Sequence, residues 1–266
     1  MTSVLNVVFF AALILYLICS LIQFVATVFK KDRLGKIAWI IFIVAFILHT
    51  GYLIARGIIA GRLPMSNQFE FATSFAWGIS LILLILRKKY DAEWLSVVAM
   101  PAAAIILSYA ALQPMEIKEL MPALKSVWFG FHIGSAAIAY AAFIIAGGAS
   151  IRYLLLARKN DPNNKAKLNQ MDYMTYRLIA LGFLFLTITI LIGAIWAEQA
   201  WSAFWTWDPK EVWALITWII YAIYLHLHLR KKNQKMLAWF AIIAVPVVLF
   251  TFVGVNTLMP GMHSYG

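Results

Sequence analysis

Eight apolar runs, separated by short polar breaks, account for most of the chain. They cover about residues 4–29, 37–56, 68–86, 94–112, 127–151, 177–195, 210–229 and 236–256. About 20 apolar residues in a helix cross the roughly 30 Å hydrocarbon layer of a bilayer, so each run predicts a transmembrane helix. Hydrocarbon offers the backbone no hydrogen bonds, and only helices and closed barrels satisfy it there. The runs are much longer than a barrel strand of about 9–11 residues. The pattern therefore predicts an all-α integral membrane protein with eight spans, read as a single transmembrane domain over 1–266. The first run has no basic stretch before it and reaches Phe29. It is too long for a signal-peptide core and reads as a retained span.

The breaks alternate in charge. Those after the first, third, fifth and seventh runs, with the helix ends beside them, hold all but five of the 22 Lys and Arg residues. The five exceptions are Arg56, Arg62, Lys118, Lys125 and Lys210. By the positive-inside rule the basic side is cytoplasmic, which puts both termini and the break at 196–210 on the outer face. The net charge of +11 is thus mainly a topology signal. It predicts contact with the anionic lipid bilayer and no nucleic-acid partner. With 64% hydrophobic and 12% charged residues, no soluble domain remains once the runs are removed. The expected setting is a bacterial plasma membrane or a thylakoid. One cysteine, Cys19, and no CxxC or CxxCH exclude a dithiol carrier and a c-type cytochrome. No nucleophile triad, Walker loop or HExxH pattern is present.

The sixth break is unusual. Residues 196–218 hold six of the eleven tryptophans. Asp208-Pro-Lys-Glu211 fits a helix start, with Asp208 as N-cap, Pro209 at the first position and Glu211 closing a capping box. Trp201 and Trp205 are four apart, one turn apart if that segment is helical, and would then form a flat aromatic shelf. An interfacial aromatic belt is one explanation. A protein-docking surface is another, since Trp concentrates there too. A third is a site for a large, flat, apolar ligand with a polar edge, such as a porphyrin, whose iron takes axial ligands.

The five histidines bear on the third reading. His132 opens run five and His263 lies in the tail at 257–266, both on the face of the tryptophan segment. Either can flank a plane held there. His226 is about 26 Å beyond Pro209 by helical rise, in the far part of run seven. His228, beside Arg230, reads as a headgroup-facing residue, and His49 as an interhelical hydrogen-bonding residue. Asn67 with Glu70 fits the cap of run three, and Arg62 is placed to reach an anionic ligand edge.

The segment WAEQAWSAFWTWDPKEVWALITW (196–218) resembles the tryptophan-rich WWD signature of the CcsA/ResC cytochrome c biogenesis proteins, a system II branch of a haem-handling superfamily. Its DPKE ending is similar to the CcsA/ResC form and departs from the CcmC and CcmF forms. LPMSNQFEFATSFAW (63–77) is similar to that family's PxSNxYE segment, with Phe69 where Tyr is usual. VWFGFHIGSAAIAYAAF (127–143), IIYAIYLHLHLR (219–230) and GVNTLMPGMHSYG (254–266) resemble its histidine segments, in the family's order. The resemblance implies haem-iron ligation by His132 and His263 at an outer site. It implies a second, intramembrane ligand at His226, and a porphyrin platform of Trp196, Trp201, Trp205, Trp207 and Asp208. It also implies haem b as the transported ligand, a CcsB/ResB-type membrane subunit and apocytochrome c as partners, and a haem-lyase component as the activity. A haem transporter that does no attachment chemistry, and a scaffold docking a partner through the aromatic segment, are the alternatives.

Overall fold

The computed structural model describes residues 2–87, 92–159, 161–259 and 261. Among them the ordered elements are all helical. They are α1 (Thr2–Val28), α2 (Asp32–Ala60), α3 (Gln68–Arg87), α4 (Ala92–Ala111), α5 (Val127–Ala157), α6 (Lys165–Trp201), α7 (Pro209–Leu229), α8 (Gln234–Leu249) and α9 (Val255–Leu258). A π-helical turn, Phe250–Gly254, joins the last two. Eight helices are long and apolar enough to cross a membrane, one for each predicted run. The chain divides into two compact units, Met1–Leu120 and Met121–Gly266.

Two helices outgrow their apolar windows because helices run to local stop signals rather than to the edge of apolarity. The second helix starts at Asp32, not near 37. The sixth runs from Lys165 to Trp201, not over 177–195. Its 37 residues span about 55 Å by helical rise. No Gly or Pro interrupts KAKLNQMDYMTYR before the apolar run, and AEQA after it consists of good helix formers. The helix stops only at Ser202, which takes the left-handed conformation at φ 56°.

In the first unit α1 packs on α2 and α4, and α3 on α4. Phe9, Tyr52 and Phe69 cluster with ring centroids 5.1–6.2 Å apart. Beside them lies a buried polar knot. Glu70 pairs with Arg56 at 3.0 Å and with Arg62 at 2.6 Å. It also accepts from the Ser66 amide and hydroxyl, both at 2.8 Å. Arg56 in turn donates to the carbonyls of Met115 and Glu116, which ties the segment after α4 to the ends of α2 and α3.

In the second unit α5 packs along α6 and α8, and α7 lies against α6 and α8. The α5 stretch SAAIAYAAFIIAGGAS is rich in small residues and almost wholly buried, which lets neighbouring backbones approach closely. A β-carbon at Gly182 would meet the Phe143 ring at 2.6 Å. The glycine leaves room for Phe143 to stack on Tyr221 of α7, centroids 3.6 Å apart and nearly parallel. By contrast, α7 buries only Thr217, Tyr221 and Tyr224 within the unit.

Candidate functional site

The tryptophan-rich segment is folded around one carboxylate. Asp208 caps α7, accepting from the Lys210 amide at 3.0 Å, and the reciprocal capping box with Glu211 is formed. Glu211 also accepts from the Thr206 amide at 2.8 Å and the Thr206 hydroxyl at 3.2 Å. One side chain thereby holds the linker on the first turn of α7. This fixed linker tolerates a positive φ of 60° at Trp207, a conformation bulky residues rarely adopt.

The sequence assigned 196–210 to a loop. Trp196 and Trp201 belong to α6, Pro209 and Lys210 to α7, and only 202–208 link them. The helix ends between Trp201 and Trp205, so these two do not form the helical shelf expected of them. The rings pair edge to face instead: Trp196 with Trp201 at 4.8 Å, and Trp205 with Trp207 at 5.8 Å. The rings grade from inside to outside. Trp196 is buried at 1% exposure, Trp201 and Trp205 are half-buried, and Trp207 stands 70% exposed. The indole N–H of Trp205 is buried and has no hydrogen-bond partner among the described residues.

His132 meets this segment from α5. Its ring stacks on Trp196 at 5.9 Å and 23°. Its Nδ1 lies 2.8 Å from the Thr189 carbonyl of α6. A carbonyl only accepts, so Nδ1 carries the proton; in the neutral ring the lone pair then falls to Nε2, the form in which histidine ligates a metal. Gly193, one turn along α6 from Thr189, admits the ring: a β-carbon there would lie 2.7 Å from two of its atoms. Ser135 and Thr189 share a 2.8 Å hydroxyl contact, and Ser126 donates to Gln199 at 3.0 Å. Together these fix α5 against α6 at this end. Thr189 and Gly193 were not singled out from sequence. The Thr189 contribution is a backbone carbonyl, which residue type does not reveal.

His263 lies outside the described residues. Gly261, two positions earlier, lies against α7's start: a β-carbon on it would collide with the Asp208 carboxylate and come within 3.1 Å of Pro209. Gly261 thus lies beside the start of α7 and the tryptophan segment.

The other histidines separate. His226 is exposed on α7, near the end opposite Asp208. His228, read from sequence as headgroup-facing, is half-buried. Its Nε2 is 3.3 Å from Asp172 and its ring stacks on Tyr176 at 4.4 Å. His49 is 1% exposed; neither ring nitrogen meets hydrogen-bond geometry among the described residues, although the Thr73 backbone of α3 faces the ring. It sits edge-on to Tyr16 at 5.8 Å. Arg62 is also corrected: its guanidinium is engaged by Glu70 and by the carbonyls of Leu63 and Lys118. Asn67 caps α3 as expected, accepting from the Glu70 amide at 2.9 Å.

Comparison with known proteins converges on one family. The family described as cytochrome C assembly protein matches residues 65–263. A cytochrome c biogenesis protein CcsA of Prochlorococcus marinus (strain MIT 9301) is 34% identical, covering 99% of this chain and 94% of that protein. The CcsA of Porphyra purpurea is 33% identical over 89% of each. That of Chlamydomonas reinhardtii is 38% identical over 80% of this chain and 64% of its own. Among solved structures, a cytochrome c haem lyase, CcmF, superposes with a TM-score of 0.76 at 15% identity, which shows a shared fold. The match takes in 93% of this chain but spans only 46% of CcmF. The matched region contains the tryptophan segment and four of the five histidines, and at this coverage and identity the chain belongs to the CcsA family of cytochrome c biogenesis proteins.

Proposed function

We propose that this chain works in cytochrome c biogenesis by receiving haem b and presenting it at the tryptophan segment for covalent attachment to apocytochrome c. The observation that carries the reading is the setting of His132. Its Nδ1 proton is directed to the Thr189 carbonyl, its ring is fixed between Gly193 and Trp196, and its Nε2 keeps the lone pair. The surroundings suit a flat apolar ligand with a polar edge. Phe204 and Trp207 are 60% and 70% exposed, and the buried Trp205 N–H offers a donor.

In this reading His132 and His263 ligate the iron on the outer face, and the return of the tail at Gly261 supports bringing the second histidine to the first. Trp196 acts from below, holding His132, while Trp205 and Trp207 line the ligand side. Asp208 joins the start of α7 to the returning tail. The haem supplies the vinyl groups to which the apocytochrome thiols add, and the protein supplies orientation and iron ligation. Substrate histidine displacing one outer ligand would couple the arrival of CxxCH to haem release. His226 is the intramembrane ligand. Its exposure on the sparsely covered α7 favours a second ligand from a CcsB/ResB-type subunit.

The test is covalent haem on a co-expressed CxxCH reporter, with and without that subunit. The proposal expects a covalently haem-stained reporter that disappears in His132→Gly. Haem bound by the chain with no reporter attachment under any condition would leave the transporter reading in its place.

A further inference from the structure

At the end of α7 remote from Asp208, four elements line an open cavity of about 710 Å³. Tyr153 comes from α5, Asp172 from α6, and His228 from the last turn of α7. The remaining wall is the turn into α8, which supplies Lys231, Lys232 and Lys235. Asp172 is paired with His228 at 3.3 Å, and the Tyr153 hydroxyl donates to Gln234 at 3.3 Å. Three ammonium groups against one partnered carboxylate leave the cavity positive even with His228 neutral.

A topology signal requires only charge in the connection. This turn has more. Lys231 lies at φ 50°, just past the end of α7. Its amide bonds the His228 carbonyl and the Lys232 amide bonds that of Leu227, a Schellman arrangement in which glycine is the least strained residue. A lysine in that place holds its charge over the cavity at a conformational cost glycine would avoid. We infer that this cavity is a binding site for a phosphate-bearing anion, which at a membrane surface is the headgroup of an anionic phospholipid. Basic pockets between transmembrane helices take such headgroups, with each lysine near the surface worth about fivefold in affinity. The inference does not depend on haem.

The experiment uses the full chain in detergent, titrated with phosphatidylglycerol or phosphatidylcholine and read by native mass spectrometry. Phosphatidylglycerol binds at least about tenfold more tightly than phosphatidylcholine. Lys231→Gly relieves the backbone, melts no lower than the parent, and binds phosphatidylglycerol about fivefold more weakly. Adding Lys232→Gln and Lys235→Gln deepens the loss. Lys165→Gln with Lys167→Gln removes two positive charges from α6 outside the cavity lining and leaves binding unchanged. Displacement of the lipid by millimolar inorganic phosphate would support the same chemistry with a soluble source. The inference is overturned if the two lipids bind equally, if the control pair weakens binding as much as the cavity lysines, or if the triple variant binds normally.

Discussion

His132 and His49 both sit within transmembrane helices, yet the protein treats them oppositely. His132 has a hydrogen-bonded Nδ1, a glycine that admits its ring and a tryptophan to stack on. His49 is more deeply buried, but neither ring nitrogen meets hydrogen-bond geometry among the described residues. Burial alone therefore does not mark a ligand. A ligand needs one nitrogen tied down so that the other carries its lone pair in a fixed direction. The same contrast separates the two polar centres. The Arg56–Glu70–Arg62 knot is closed on itself, while the tryptophan segment leaves aromatic surface exposed.

The contrast can be broken at several points. Replacing His132 with Gly is expected to have the largest effect. It removes the proposed ligand itself, so haem affinity should fall by more than the roughly 10–100-fold typical of losing a ligand's supporting partner. Next is Gly193→Ala. Its methyl displaces the His132 ring, and both haem affinity and reporter attachment should drop by about 10–100-fold, read by haem titration. Normal affinity in that variant would mean the ring position is unimportant. Glu211→Ala removes three hydrogen bonds from the linker and its cap. It should cost about 1 kcal/mol in thermal unfolding, with faster amide exchange at Thr206. The smallest effect is expected at His49→Leu. It removes two buried, unpartnered polar atoms, so stability should change by less than about 1 kcal/mol or rise, with the haem spectrum unaltered. A spectrum that changed there would erase the distinction between the two histidines.

Much of this was legible in the sequence. The eight spans follow from apolar length, and the capping box at Asp208 and Glu211 follows from residue type and spacing. The rest depended on facts that composition does not carry. The extension of α6 to Trp201 comes from helix-forming residues outside the apolar window, and its end from the backbone of Ser202. This is why Trp201 and Trp205 looked like neighbours on one helix. The family resemblance places Trp196 in a porphyrin platform; its burial against His132 is set by how α5 and α6 meet, which the sequence does not carry. Arg62 looked available because its partner, Glu70, already had a sufficient role as a helix cap.

The most direct test of the central claim is the absorption spectrum of haem bound to the purified chain, compared with His132→Gly with and without added imidazole. The account predicts a low-spin bis-histidine Soret band that is lost in the variant and restored by imidazole, which replaces the missing Nε2 while the Gly193 recess stays open. A Soret band unchanged by the substitution would contradict it.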